Sequence, residues 1–178
     1  MSSSLAVAAA AEAEAVAATR GALGSIPAGS CASVVGEAST SEELRACMIG
    51  GCCGKDTPLL GLDAVRSRMP ALPRWALSGD CKSIHQSFVA RDWSAAMGFF
   101  NAVSVIAEAE GHHPDLHLEN WREVRVALSS HAIGGLSLPD LVLAAKFDAI
   151  PMAFSAKWLK SPEAAAFRQA PATAPAAN

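Results

Sequence analysis

The segment that most constrains the fold runs from Asp92 to Gly111, DWSAAMGFFNAVSVIAEAEG. Its apolar residues recur at helical spacing, which indicates a helix with one buried face. Asp92 is of a residue type that caps helix starts, and Gly111 suits the left-handed conformation that ends many helices. The apolar positions are Ala96, Phe99, Phe100, Val103, Ile106 and Ala107. We therefore expect one long amphipathic helix with both ends defined.

The segments on either side of this helix predict pairs of strands. RWALSGDCKSIHQSFVA is typical of a hairpin, and DLHLEN followed by REVRVALSSH indicates a second pair with alternating apolar residues. Shorter helices are expected in GLDAVRSRMPAL and in LPDLVLAAKFDAI, the latter behind a capping box of Ser137 and Asp140. The order α-β-β-α-β-β-α predicts an α+β fold, with three helices on one face of a four-stranded antiparallel sheet.

The two ends of the chain differ from its middle. Residues 1–46 are rich in Ala, Ser and Gly, which predicts a disordered or organelle-targeting segment, and residues 161–178 predict a disordered tail. The folded domain is therefore expected at residues 58–160. If residues 1–46 are a targeting segment, the destination is the mitochondrion or plastid; otherwise the chain is expected to be cytoplasmic.

Charge and composition exclude several classes of protein. The net charge is −3, so direct binding to nucleic acid through a basic surface is not expected. No apolar run is long enough to predict a membrane span. The cysteines are odd in number and irregularly spaced, which favours reduced thiols without a metal. They are Cys31, Cys47, Cys52, Cys53 and Cys81.

Three histidines form the candidate site. His112 and His113 follow the long helix, and His131 follows the last predicted strand, directly before the turn AIGGL. Glu108 lies one helical turn before His112, where its carboxylate is expected to orient that ring. Spacing alone leaves open a solvated helix cap, a zinc site and acid–base catalysis, although adjacent side chains diverge and so chelate poorly. His85 and His117 are expected to be surface residues or to have their hydrogen bonds satisfied within the fold.

The sequence AEAEGHHPDLHLENWREVRVALSSHAIGGLSLPDLVLAAKFD resembles the pterin-4a-carbinolamine dehydratase family. The similar residues include Glu108, His112, His113, Pro114, and the pair Ser130–His131, which is followed by Gly134, Gly135 and Leu136. The upstream ALPRWALSGDCKSIHQSFVARDW is similar to the family's hairpin. This resemblance covers roughly residues 58–155. It implies the predicted fold, self-association as a homodimer or homotetramer, and no metal or organic cofactor.

The resemblance also implies an activity. It is the dehydration of 4a-hydroxytetrahydrobiopterin to quinonoid dihydropterin and water, in tetrahydrobiopterin recycling. By position, His112 and His131 would form the acid–base pair, His113 would position the pterin, and Glu108 would tune His112. Substrate contacts are further implied for Pro114, Ser130, Ala132 and Trp75, although Trp75 equally suits a core position.

The same family also implies an alternative of another class. Some members have a binding role, as a dimerisation cofactor of a transcription factor or as plastid assembly factors. The presence of all three histidines favours catalysis, and a protein partner would use other surfaces.

Overall fold

The computed structural model describes residues 39–47, 49 and 54–169. The helices are α1 (Ser41–Ala46), α2 (Leu62–Arg68), α3 (Trp93–Glu110), α4 (Leu138–Asp148) and α5 (Ala165–Gln169). The strands are β1 (Ala76–Leu77), β2 (Ile84–Val89), β3 (Asp115–Glu119) and β4 (Glu123–Leu128). Apart from short 3-10 turns, the order from α2 to α4 is the predicted α-β-β-α-β-β-α.

The four strands form one antiparallel sheet in the order β1-β2-β4-β3. Alternate side chains on β2 and β4 are buried, as the sequence alternation predicts. This buried face packs on the helices; for example, the rings of Phe88 and Phe99 meet edge to face at 5.1 Å. The opposite face is mainly polar and is exposed or half-buried. The prediction of an α+β fold built on a four-stranded antiparallel sheet is confirmed.

Local capping fixes both ends of α3. The Asp92 side chain accepts a hydrogen bond from the Ala95 amide at 2.8 Å. Gly111 adopts φ 65°, and the following His112 amide donates back to the Ala107 carbonyl at 3.2 Å. This left-handed turn directs the chain out of the helix, so it sets the direction in which His112 and His113 leave.

Ordered structure extends beyond the predicted domain at both ends. Helix α1 lies within the segment predicted to be disordered or targeting, and its Leu44 is fully buried in the core. After α4, the rings of Phe154, Trp158 and Phe167 pack together, and Phe88 contacts two of them. Residues 1–38 and 170–178 lie outside the described residues. Within the described part of the chain, no helix is long and apolar enough to cross a membrane.

Two of the five cysteines, Cys47 and Cys81, lie among the described residues. Cys81 carries a free thiol and lies in the turn after β1. The Cys47 thiol donates to the Glu43 carbonyl at 3.4 Å. Cys31, Cys52 and Cys53 lie outside the described residues.

Candidate active site

The two adjacent histidines point in opposite directions. His112 is buried, with 3% of its surface exposed, whereas the side chain of His113 is 66% exposed. The turn at Gly111 ends α3, and both histidines follow it before β3 begins. The pair therefore has one internal and one external imidazole.

A buried carboxylate holds the internal imidazole. His112 Nε2 lies 2.7 Å from Oδ1 of Asp140, a residue with no exposed surface. The other oxygen, Oδ2, accepts hydrogen bonds from the Ser137 amide at 2.7 Å, the Ser130 hydroxyl at 2.9 Å and the Ser137 hydroxyl at 3.0 Å. A buried carboxylate is tolerated when its lone pairs are used in this way. Asp140 thus joins the end of α3, the end of β4 and the start of α4.

The third histidine follows one of these anchors. Ser130 is buried, and its amide donates to the Gly135 carbonyl at 2.9 Å, which closes a tight loop. His131 begins the 3-10 turn in this loop, and its side chain is 75% exposed. Gly134 ends the turn with φ 65°, a conformation that costs glycine little. His131 is therefore exposed immediately after a buried, anchored residue, as His113 is.

One carboxylate brings the exposed histidines to the same corner. Asp115 opens β3 two residues after His113, and its Oδ2 lies 3.6 Å from His131 Nε2. On the other side, Glu108 Oε2 lies 3.3 Å from His113 Nε2. Each exposed imidazole thus has a carboxylate beside it, and both can be reached from solvent. We call the group of His113, Glu108, His131 and Asp115 the histidine corner.

The observed contacts differ from some of those expected from the sequence. Glu108 was expected to orient His112, yet its carboxylate contacts His113, because His112 turns inward to Asp140. The Ser130 hydroxyl also points into the buried network, where its oxygen lies 2.6 Å from the hydroxyl oxygen of Ser137.

The other expected substrate contacts lie in different settings. Pro114 is half-buried between His113 and Asp115, and Ala132 is exposed on the turn beside His131. Trp75 is a core residue, 5% exposed, whose Nε1 donates to Asp148 Oδ1 at 3.1 Å. Asp148 ends α4, about 12 Å along the helix axis from Asp140. The structure therefore places Trp75 away from the histidine corner.

Asp140 and Asp115 were not among the predicted site residues. Asp140 was interpreted only as part of the capping box, which the structure confirms, but it also binds His112 across 28 residues. The signal for Asp115 was its place directly after His112-His113-Pro114, where an acidic side chain follows the candidate bases at once. Among the described residues, no group of three His, Cys, Asp or Glu side chains is placed to hold a metal ion.

Comparison with known proteins identifies the family. The family model described as "Pterin 4 alpha carbinolamine dehydratase" matches residues 58–150, just over half of the chain. The chain belongs to this family. The matched segment contains α2 to α4, all four strands and every residue of the histidine corner.

Individual relatives extend the comparison. Pterin-4-alpha-carbinolamine dehydratase 2, mitochondrial, from Arabidopsis thaliana is 36% identical over 99 residues, which cover 54% of this chain and 53% of the relative. This chain thus spans about half the length of that relative. A bacterial relative from Paracoccus denitrificans, to which the dehydratase name is given provisionally, is 38% identical over 92 residues, covering 52% of this chain and 85% of its own length. The prediction of a dehydratase-type enzyme is confirmed at the level of the family.

A solved structure is also similar. The transcriptional coactivator/pterin dehydratase from Brucella melitensis is 28% identical, with a TM-score of 0.49. The match covers 52% of this chain and 97% of that one.

Proposed function

We propose that this member of the dehydratase family removes water from a 4a-hydroxytetrahydropterin and yields a quinonoid dihydropterin, as in tetrahydrobiopterin recycling. The observation that carries the proposal is the pair of exposed imidazoles, His113 and His131. Each has a carboxylate at hand, from Glu108 or Asp115. Each also follows a buried residue that binds Asp140.

The reaction requires two proton transfers. The C4a–O bond breaks and the hydroxyl leaves as water, so the leaving oxygen must gain a proton. The N5–H bond breaks as the C4a=N5 double bond forms, so another group must take a proton. Imidazole side chains suit both tasks because they exchange protons near neutral pH. We assign these two transfers to His113 and His131.

His112 has a different proposed role. Its ring is buried and its Nε2 is bound to Asp140, so it is poorly placed to touch a substrate. Position in the family motif had suggested His112 and His131 as the proton-transfer pair, with His113 as the residue that positions the pterin. The geometry favours His113 in place of His112, and we propose that His112 holds His113 in position.

Single substitutions separate these roles. His113→Ala and His131→Ala should each lower kcat/KM for a synthetic 4a-hydroxytetrahydropterin by about 10²-fold or more. Both residues are exposed, so the free energy of unfolding should change by less than about 0.5 kcal/mol. His112→Ala should lower activity and also lower that free energy by about 1–3 kcal/mol, because buried Asp140 loses a partner.

The control is His85→Asn, on β2 outside the corner, which should keep wild-type turnover. Wild-type activity in the double variant of His113 and His131 would refute the assignment. If His112→Ala lost activity without losing stability, and His113→Ala kept its activity, His112 would again be the residue that transfers protons.

We also propose an oligomeric state and a location in the cell. Strand β3 lies at one edge of the sheet, where its outer backbone groups are open to pairing with a second chain. We propose a homodimer or homotetramer, which light scattering behind size-exclusion chromatography would measure. We also propose import into the mitochondrion or plastid, and a reporter fused to residues 1–46 that stays cytosolic would contradict it.

A further inference from the structure

The exposed face of the sheet carries a cavity whose lining does not include His113, His131, Glu108 or Asp115. Its volume is about 340 Å³, within the range of small-molecule clefts. We call it the sheet-face cavity and define it by His117, Glu119, Glu123, Arg125, Trp158 and Glu163. Trp158 and Glu163 come from the segment after α4, beyond the residues matched by the family. Part of the cavity therefore lies outside the segment that the family model matches.

The floor of the cavity has a basic row beside an acidic row. Arg125 on β4 lies opposite His117 on β3, and Glu123 on β4 lies opposite Glu119 on β3. Same-face residues on one strand lie about 7 Å apart, so the rows are neighbours. Diagonal cross-strand residues with long side chains can reach one another at this spacing.

Nevertheless, the two rows are not joined. Neither Arg125 nor Glu119 forms an ion pair or side-chain hydrogen bond with any described residue. Glu123 accepts one hydrogen bond, from the Asn120 amide at 3.2 Å, and has further acceptor capacity. Opposite charges thus face one cavity without forming an ion pair with each other. This leaves room between them for a ligand that carries both charges.

Part of the cavity wall is apolar. Trp158 packs on Phe154 and Phe167, with ring centroids 5.8 and 5.0 Å apart, so its indole is held in place. Val89, beside Glu123 on β2, also lines the cavity. An apolar group on the ligand would bury surface against this wall.

We infer that the sheet-face cavity binds a free α-amino acid with an apolar side chain. Arg125 binds the carboxylate, for which a guanidinium offers paired donors. Glu119 and Glu123 bind the ammonium group, and the side chain of the amino acid lies against Trp158. A ligand with only a positive charge would leave Arg125 unpaired beside it, and one with only a negative charge would face the glutamates.

Three probes that share a phenyl group test the charge requirement on the full chain. L-Phenylalanine, phenethylamine and 3-phenylpropionate differ only in whether both charges or one are present. Isothermal titration should show saturable binding of L-phenylalanine, and at least about tenfold weaker binding of each singly charged analogue. Equal binding of either analogue, or no binding of L-phenylalanine or L-leucine at about 10 mM, would overturn the inference.

Variants locate the site. Arg125→Gln and Glu119→Gln should each weaken L-phenylalanine binding about tenfold or more, and Trp158→Leu should also weaken it. Arg122→Gln is the matched control, because Arg122 lies at the hairpin tip over the Trp121 ring, outside the cavity. Thermal unfolding of each variant checks that the fold is kept. Weakening by Arg122→Gln equal to that by Arg125→Gln would contradict the proposed site.

A second control separates this site from the proposed dehydratase site. The double variant His113→Ala, His131→Ala should bind L-phenylalanine as the wild type does. Loss of binding in that variant would place the amino acid in the histidine corner and overturn the inference of a second site.

Discussion

The Asp140→Asn substitution tests the central structural feature of the site. It preserves the shape of the side chain but removes its charge and turns one acceptor oxygen into a donor group. In the wild type, Asp140 Oδ2 accepts three hydrogen bonds and Oδ1 contacts His112 Nε2. If its amide oxygen faces Ser130 and Ser137, the asparagine keeps the three hydrogen bonds. The acceptor is then neutral, so each of these hydrogen bonds is weaker.

The size of the effect follows from these contacts. Hydrogen bonds to a charged group contribute about 1.5–3 kcal/mol each and neutral ones about 0.5–1.5 kcal/mol, a difference of about 1 kcal/mol per contact. Four contacts to Asp140 give about 4 kcal/mol, and the lower desolvation cost of a neutral side chain offsets part of this. We therefore expect Asp140→Asn to lower the free energy of unfolding by about 2–4 kcal/mol.

Urea denaturation followed by circular dichroism measures this change. With a slope of about 2 kcal/mol per molar urea, the midpoint should fall by about 1–2 M. Asp115→Asn is the matched control, because Asp115 is exposed and the same substitution should change stability by less than about 0.5 kcal/mol. An Asp140→Asn protein as stable as Asp115→Asn would refute the role assigned to the buried carboxylate.

Two further predictions concern stability away from the site. Burial raises the pKa of Asp148 from 3.8 to about 6, against the opposing effects of Arg74 and the Trp75 hydrogen bond. Since the folded state then holds the proton more tightly, the stability contributed by this group is present below pH 4 and is lost as the pH rises through 6. Asp148→Asn should remove that dependence. The free energy of unfolding of the variant minus that of the wild type should therefore increase by about 3 kcal/mol between pH 4 and pH 7. Separately, Trp121 adopts φ 59° in the β3–β4 turn, a conformation that costs a non-glycine residue about 1 kcal/mol. Trp121→Gly should therefore raise the thermal midpoint by a few degrees. The loss of the stacking of Arg122 on the indole ring offsets part of this gain. A midpoint below that of the wild type would contradict the prediction.

Features set by neighbouring residues could be predicted from the sequence. Helix α3 follows from its apolar periodicity and from its caps at Asp92 and Gly111, and the strands follow from alternation. The capping box of Ser137 and Asp140 is equally local. These signals depend on residues within one or two turns of each other, so they remain readable without the fold.

Features set by distant contacts could not be predicted. The sequence shows two adjacent histidines but not which one turns inward, because that depends on Asp140, 28 residues later. Nor does an Ala-rich beginning indicate that Leu44 enters the core, since one buried leucine leaves no periodic pattern. The placement of Glu108 on His113 follows from the same inward turn of His112.

At the corner, each exposed histidine is covalently next to a buried residue that binds Asp140. A rigid planar peptide unit separates His113 from His112, and another separates His131 from Ser130. In the proposed function, the residues that would meet the substrate are therefore different from the residues that maintain the scaffold. Natural variation can replace the outer pair and leave the inner framework intact, so a lineage that lost the chemistry would retain a folded surface available for other partners.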